Sequence, residues 1–166
     1  MRTATPGVPG LLIEMTDGTF EANHDFRQGV GLYYDLVKAS VHRLLVALTH
    51  ELRDHPVTPL AVTPGWIRSE AMLEHFGVRE DNWCDALDRV PGFAISETPT
   101  YVGRGVAALA TDSSHGRHAG TCLSSHDLAA AYDVTDVDGS QPDCWRLIAD
   151  TGFGEEHADV DVTGYR

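Results

Sequence analysis

Lysine is all but missing from this sequence: Lys38 stands alone among 166 residues that carry eleven arginines. Where a positive charge merely had to be present, arginine was used. A single lysine therefore marks a place that suits a compact, three-donor ammonium and not a planar guanidinium, unless codon usage alone produced it. Basic residues as a group are scarce, 12 against 25 acidic, for a formal net charge of −13. Such a surface opposes nucleic acid and anionic lipid, so neither is expected as a partner. No apolar run approaches the roughly 18 residues of a membrane span. Met1-Arg2-Thr3-Ala4-Thr5-Pro6-Gly7 lacks the apolar core of a signal peptide, and a cytoplasmic location is expected. Cys84, Cys122 and Cys144 are odd in number, widely spaced and form no CxxC, which excludes a disulfide framework and predicts reduced thiols. Among nine histidines, His115 and His118 come close together in a Gly-containing turn, and no metal site is expected there. No GxSxG elbow supports a serine hydrolase.

What is present reads as one globular domain over residues 1–150 followed by an acidic tail, 151–166, with a hydrophobic fraction of 42%. Gly10 to Thr16 is a short apolar run closed by Asp17-Gly18, a buried strand with a turn behind it. A helix is predicted from about Leu32 to Asp54, with Leu36, Val37, Val41, Leu44, Leu45, Leu48 and Leu52 as a wide buried stripe. Val57 to Thr63 is a second strand ended by Pro64-Gly65, although Pro59 cannot donate to a ladder. Strand, helix and strand with short connections make a βαβ unit with parallel strands. Residues 70–95 hold two short helical patterns, an insert of the kind that covers a ligand. Ser96-Glu97-Thr98-Pro99 starts a helix running from about Thr98 to Asp112. A third strand falls at about 120–124, and Ser125 opens a helix to Tyr132. From Asp133 onward nine acidic residues predict a segment that wraps the surface or frays. The fold class is α/β, a partial Rossmann-like arrangement of three parallel strands with crossover helices. Gly103-Arg104-Gly105-Val106-Ala107-Ala108 matches a GxGxxA dinucleotide fingerprint. Its glycines lie inside a helix already begun at Thr98-Pro99, where they predict close packing on the sheet instead.

Tyr34 and Lys38 sit four residues apart and share one face of the first helix. A fixed cation beside a phenol favours the phenolate and suits it to general acid/base work. On many helices the same spacing only places a packed tyrosine near a solvated lysine. Taken with the strand before it and the following strand that ends in Pro64-Gly65-Trp66-Ile67-Arg68-Ser69, the Tyr34-x-x-x-Lys38 pattern resembles the second half of a short-chain dehydrogenase/reductase. The resemblance runs from about Gly10 to Trp145. Thr63 to Met72 and Thr135 to Asp143 further resemble a subgroup of bacterial members.

The resemblance implies an oxidoreductase that reduces a carbonyl or oxidises an alcohol with NAD or NADP. Tyr34 would be the acid/base, and Lys38 would assist it and hold the ribose hydroxyls. Pro64, Gly65, Ile67 and Ser69 would meet the nicotinamide amide. Trp66, Met72, Phe76 and Trp83 would line the substrate side, unless they are plain core. At the place of the family's substrate-binding serine the sequence offers Asp17, with Thr16 or Thr19 as alternative hydroxyls. An ionised aspartate there has no proton to donate and repels a developing alkoxide. Nothing in the sequence matches the TGxxxGxG phosphate turn, the NNAG segment or the tetrad asparagine of the family's first half. The expectation is a portion that lacks the cofactor-binding half, does not bind NAD(P) by itself and is inactive alone. The alternative is a non-catalytic module that dimerises or binds a partner through helix 32–54, with Ala39, His42, Arg43, Val46, Ala47 and His50 as a second face.

Overall fold

The computed structural model describes residues 9–26, 30–152 and 160–166. Its centre is a three-stranded parallel sheet in the order β1-β2-β3, built from β1 (Gly10–Met15), β2 (Val57–Thr63) and β3 (Cys122–Ser124). Gly10 pairs with Val57 and Met15 with Val62, and the ladder runs one residue further through Thr16 N–H to Val62 O at 3.0 Å. β3 pairs with the end of β2, Ala61 to Cys122 and Thr63 to Ser124. Pro59 fits this central strand because its missing N–H faces β3 before that strand begins. Its carbonyl still accepts from Gly120 N–H at 2.8 Å.

The helices are α1 (Leu32–Glu51), α2 (Glu70–Phe76), α3 (Pro99–Thr111), α4 (Ser125–Tyr132) and α5 (Cys144–Thr151). Proline at the first turn starts α3. At α4, Ser124 and Asp127 form a capping box. Parallel strands joined by these helices are the partial Rossmann-like architecture expected from the sequence. Leu60, Val62, Val102, Leu109 and Leu128 form the cluster between β2, α3 and α4. Alternation turns Pro59 and Ala61 away from that cluster, toward α1.

Three expectations are corrected. The stripe of α1 is narrow: His42 and Leu45 are its buried residues, while Leu36 and Val37 are 60% exposed and Leu44 is 44% exposed. The helix is apolar almost all round, so the spacing rule selected both its inner and its outer face. His42, expected on an outer face, lies on the inner one. Of the two glycines of α3, Gly105 packs on a helix and not on the sheet, since a Cβ there would stand 2.7 Å from Leu128 Cβ of α4, while a Cβ at Gly103 would meet nothing within 4 Å. Replacing Gly105 with valine is expected to lower stability by about 1–3 kcal/mol through overpacking, read as a shift of the urea midpoint at unchanged slope. Finally, the segment after Asp133 contains a helix, α5, capped by Asp143, whose side chain accepts from Arg146 N–H. Val160, Val162 and Tyr165 pack against Ile95, Cys144 and Leu147. The expected acidic tail falls partly at 153–159, outside the described residues.

Residues 70–95 wrap into α2 and two 3-10 turns, Trp83–Ala86 and Pro91–Ile95. They have an apolar cluster of their own, centred on Val78, Ala86 and Phe93. Among the described residues no helix is long and apolar enough to cross a membrane.

Candidate active site

The C-terminal ends of β1 and β2 turn toward each other and are tied by Gly18 N–H donating to Thr63 Oγ1 at 2.9 Å. Gly18 has φ 109°, and a Cβ there would meet Asn23 Nδ2 at 2.4 Å, so only glycine makes this turn. Asn23 braces it from outside: its Nδ2 donates to Asp17 O at 3.0 Å and lies 2.8 Å from His42 Nε2. His42 Nε2 is also 3.1 Å from Gly18 O. Burial holds the His42 imidazole below its ordinary pKa, against the opposing pull of Gly18 O and Glu21. A neutral ring braces the turn, a role that sequence reading missed because a histidine on a helix does not reveal which way it points.

The turn delivers Asp17 to the first turn of α1. Tyr34 Oη donates to Asp17 Oδ2 at 2.7 Å. One helical turn on, Lys38 Nζ sits 5.5 Å from the Tyr34 ring centroid, within cation–π range. Thr16 Oγ1 donates to Lys38 O at 3.0 Å, which fixes β1 to α1 and commits that hydroxyl hydrogen.

A cavity of about 430 Å³ opens here. Thr16, Asp17, Tyr34 and Lys38 contribute one wall, and Pro64, Gly65, Trp66, Ile67 and Ser69, with Met72, another part of the lining. Ile95, Leu147, Ile148 and Val160 add an apolar portion. Phe76 and Trp83, expected in the same lining, pack elsewhere. Phe76 lies 4.8 Å from Phe93 ring to ring, and Trp83 lies under the Arg68 guanidinium at 4.3 Å. Ser69 caps α2, accepting from Met72 N–H at 3.3 Å.

The Pro64–Trp66 turn is gripped from both sides. Trp145 Nε1–H donates to Pro64 O at 2.9 Å from α5. Behind the turn lies Glu97, fully buried, whose Oε2 accepts from Ser125 Oγ at 2.6 Å and lies against Gly65. Burial pushes this carboxyl up to about 7, and the Ser125 hydroxyl and the Gly65 backbone only partly offset it. A Cβ on Gly65 would lie 2.7 Å from both Glu97 Oε2 and Cys144 Cβ, so the bare backbone forms the cavity wall. Burial also pushes the Cys122 and Cys144 thiols up to about 12, which leaves them protonated and poor nucleophiles. His115 is held between Thr58 Oγ1 and Pro9 O, each at 3.1 Å, as a core residue. Among the described residues no cluster of three metal-ligating side chains occurs.

No protein-family model matches the chain. It is 34% identical over 141 residues to dehydrogenase/reductase SDR family member 1 of Mus musculus and 32% identical over 140 residues to the Homo sapiens protein of that name. Each match takes in 83% of this chain and 43% of the relative, so the chain spans less than half the length of these relatives. The matched stretch is thus similar to part of two short-chain dehydrogenase/reductase relatives. The likeness gives the parallel sheet and the tyrosine-bearing helix a common frame. The chain brings its Tyr-x-x-x-Lys helix and its Pro-Gly turn to one cavity.

Proposed function

We propose that this chain carries the proton-handling part of an NAD(P)-dependent oxidoreductase acting on small carbonyl or alcohol substrates, and that it does not turn over by itself. The observation behind this reading is that Tyr34, Lys38 and the Pro64–Gly65 turn share one cavity. Lys38 and the side-chain-free backbone at Gly65 fit the nicotinamide-ribose end of such a cofactor, with Ile67 and Ser69 beside them. When bound, the cofactor supplies or removes hydride. Tyr34 Oη holds the proton exchanged with the substrate oxygen. Its hydrogen points to Asp17 Oδ2, so it must swing from that carboxylate to reach a carbonyl oxygen. Thr16 commits its own hydrogen to Lys38 O, which leaves Tyr34 as the hydroxyl donor on this wall. The apolar portion suits the carbon body of a substrate.

The sequence has no glycine-rich turn leading into a helix to cradle a pyrophosphate, which supplies much of the affinity for such cofactors. Calorimetric titration with NADH or NADPH is therefore expected to give a dissociation constant no tighter than about 1 mM. At those concentrations, amide shifts in an NMR spectrum are expected to cluster on Lys38, Gly65 and Ile67. Micromolar binding would sink the claim of an incomplete cofactor site; shifts scattered away from the cavity would sink the site assignment.

A second reading, a partner-binding module, draws on the outer face of α1. There Leu32, Leu36, Val37, Leu44 and Val46 are 44–66% exposed, a patch unusual for a free surface. Sedimentation is expected to show self-association at micromolar concentration, and a monomer at all concentrations would remove that reading for a homodimer.

A further inference from the structure

Glu97 lies outside the Tyr34–Lys38 pair, yet it contacts the Pro64–Trp66 turn at two points and the chain just after it at a third. Its Oε2 lies against Gly65, 2.7 Å from where a Cβ there would stand. Its own N–H donates to Trp66 O at 2.9 Å, and its carbonyl accepts from Arg68 N–H at 2.8 Å. The side chain is fully buried, Oε2 takes the Ser125 hydroxyl, and Oε1 has no hydrogen-bond partner among the described residues. A carboxyl used only as structural glue has both oxygens satisfied. Here one oxygen is left available to carry a proton while the other keeps hold of the turn.

We propose that Glu97 is the positioning residue of the cavity's backbone wall, and that gain or loss of its single proton shifts the Pro64–Gly65–Trp66 turn through the contact of Oε2 with Gly65. Ionisation places a full charge on the carboxyl that lies against the Gly65 backbone and draws the turn inward; protonation at Oε1 relaxes it. The movement reaches Pro64 O and the indole N–H of Trp145 that donates to it. The significance of the turn for nicotinamide binding rests on the function proposed above, whereas the coupling of Glu97 to the turn stands apart from it.

The charges facing Glu97 come from every packed element. Arg68 follows the turn and is paired with Glu80 at 3.0 Å. Asp136 comes from the loop after α4, and Tyr101, whose buried hydroxyl has no partner among the described residues, from α3. Cys144 and Asp143 come from α5. Asp143 is itself 3.2 Å from Arg146 and 3.6 Å from His126 of α4. Burial places the Glu97 transition near pH 7, inside the physiological range. Asp136 opposes ionisation and Arg68 favours it.

The test is an NMR titration of the whole chain from pH 5 to 9, without cofactor, following the Gly65 amide and the Trp145 indole. Both resonances are expected to move with one midpoint near pH 7, to lose that movement in Glu97→Gln, and to keep it in His126→Asn. Ser125→Ala removes a donor to the ionised carboxyl and is expected to raise the midpoint, which keeps the idea testable if Glu97→Gln does not fold. A response that survives in Glu97→Gln, that disappears in His126→Asn, or that is absent from the unmodified chain overturns the proposal. None of these outcomes depends on the cofactor titration, so failure of the functional reading is read separately.

Discussion

Replacing Asp136 with alanine is expected to lower the stability of this chain by about 3–5 kcal/mol. Asp136 is 1% exposed and organises three donors at once: Thr98 N–H at 2.8 Å, the Thr98 hydroxyl, and Val137 N–H at 2.7 Å. Its Oδ2 is also 4.0 Å from Arg68 Nη2. Truncation leaves the Thr98 amide, at the N-cap of α3, and its hydroxyl buried without an acceptor, and leaves a buried guanidinium short of a countercharge. Arg68 retains Glu80 and the carbonyl of Ser96, so the loss is smaller than for an isolated pair. Asn at 136 keeps one acceptor oxygen and is expected to lose roughly half as much. Urea denaturation of both variants measures this, and an alanine variant within about 1 kcal/mol of the parent would show that the loop around Asp136 is not bound to α3 as described.

The dependence of stability on pH carries the second large effect. The Glu97 carboxyl is raised from 4.5 to about 7 on folding. Between those values the unfolded chain has released the proton while the folded chain retains it. Stability is therefore fully present below about pH 4.5, falls as pH rises toward 7, and is level above it. The loss from this one group is about 3 kcal/mol. His42 acts in the opposite sense: its folded pKa lies below its unfolded value of 6.5, so its contribution is present above pH 6.5 and declines as pH falls. His118, lowered chiefly by burial, does the same. The parent's curve mixes these slopes, but the difference between parent and Glu97→Gln isolates one. Denaturation midpoints at pH 5 and pH 8 are expected to favour Glu97→Gln progressively as pH rises; parallel curves would mean that Glu97 is ionised throughout.

Much of the architecture was legible in the residues. Apolar runs bounded by Gly, Pro and Asp gave β1 and β2 to within a residue, and Thr98-Pro99 gave the start of α3. The pair Tyr34 and Lys38 and the Pro64–Gly65 turn stood out in the sequence because the roles proposed for them need particular residue types at fixed spacings, and the fold brings them to one cavity. The outward face of α1 was not, since Leu36 and Val37 are as apolar as the buried Leu45 and periodicity alone does not say which side meets the sheet. Helix α5 had its signals, an Asp143 cap and Cys144, Trp145, Leu147 and Ile148 on one side, but eight residues amid acidic neighbours are too short for pattern to dominate. Glu97 was unreadable: an acid before Thr98-Pro99 reads as a solvated helix start, and only the packing of α4 and α5 encloses it.

The parallel sheet also sets when the cavity comes into being. Pairing Gly10 with Val57 closes a long loop before it yields its first bond, and the Trp145–Pro64 contact spans 81 residues. Contacts so distant along the chain form late, after the local helices have condensed. The glycine wall and the indole that pins it thus meet only once most of the chain between them has folded.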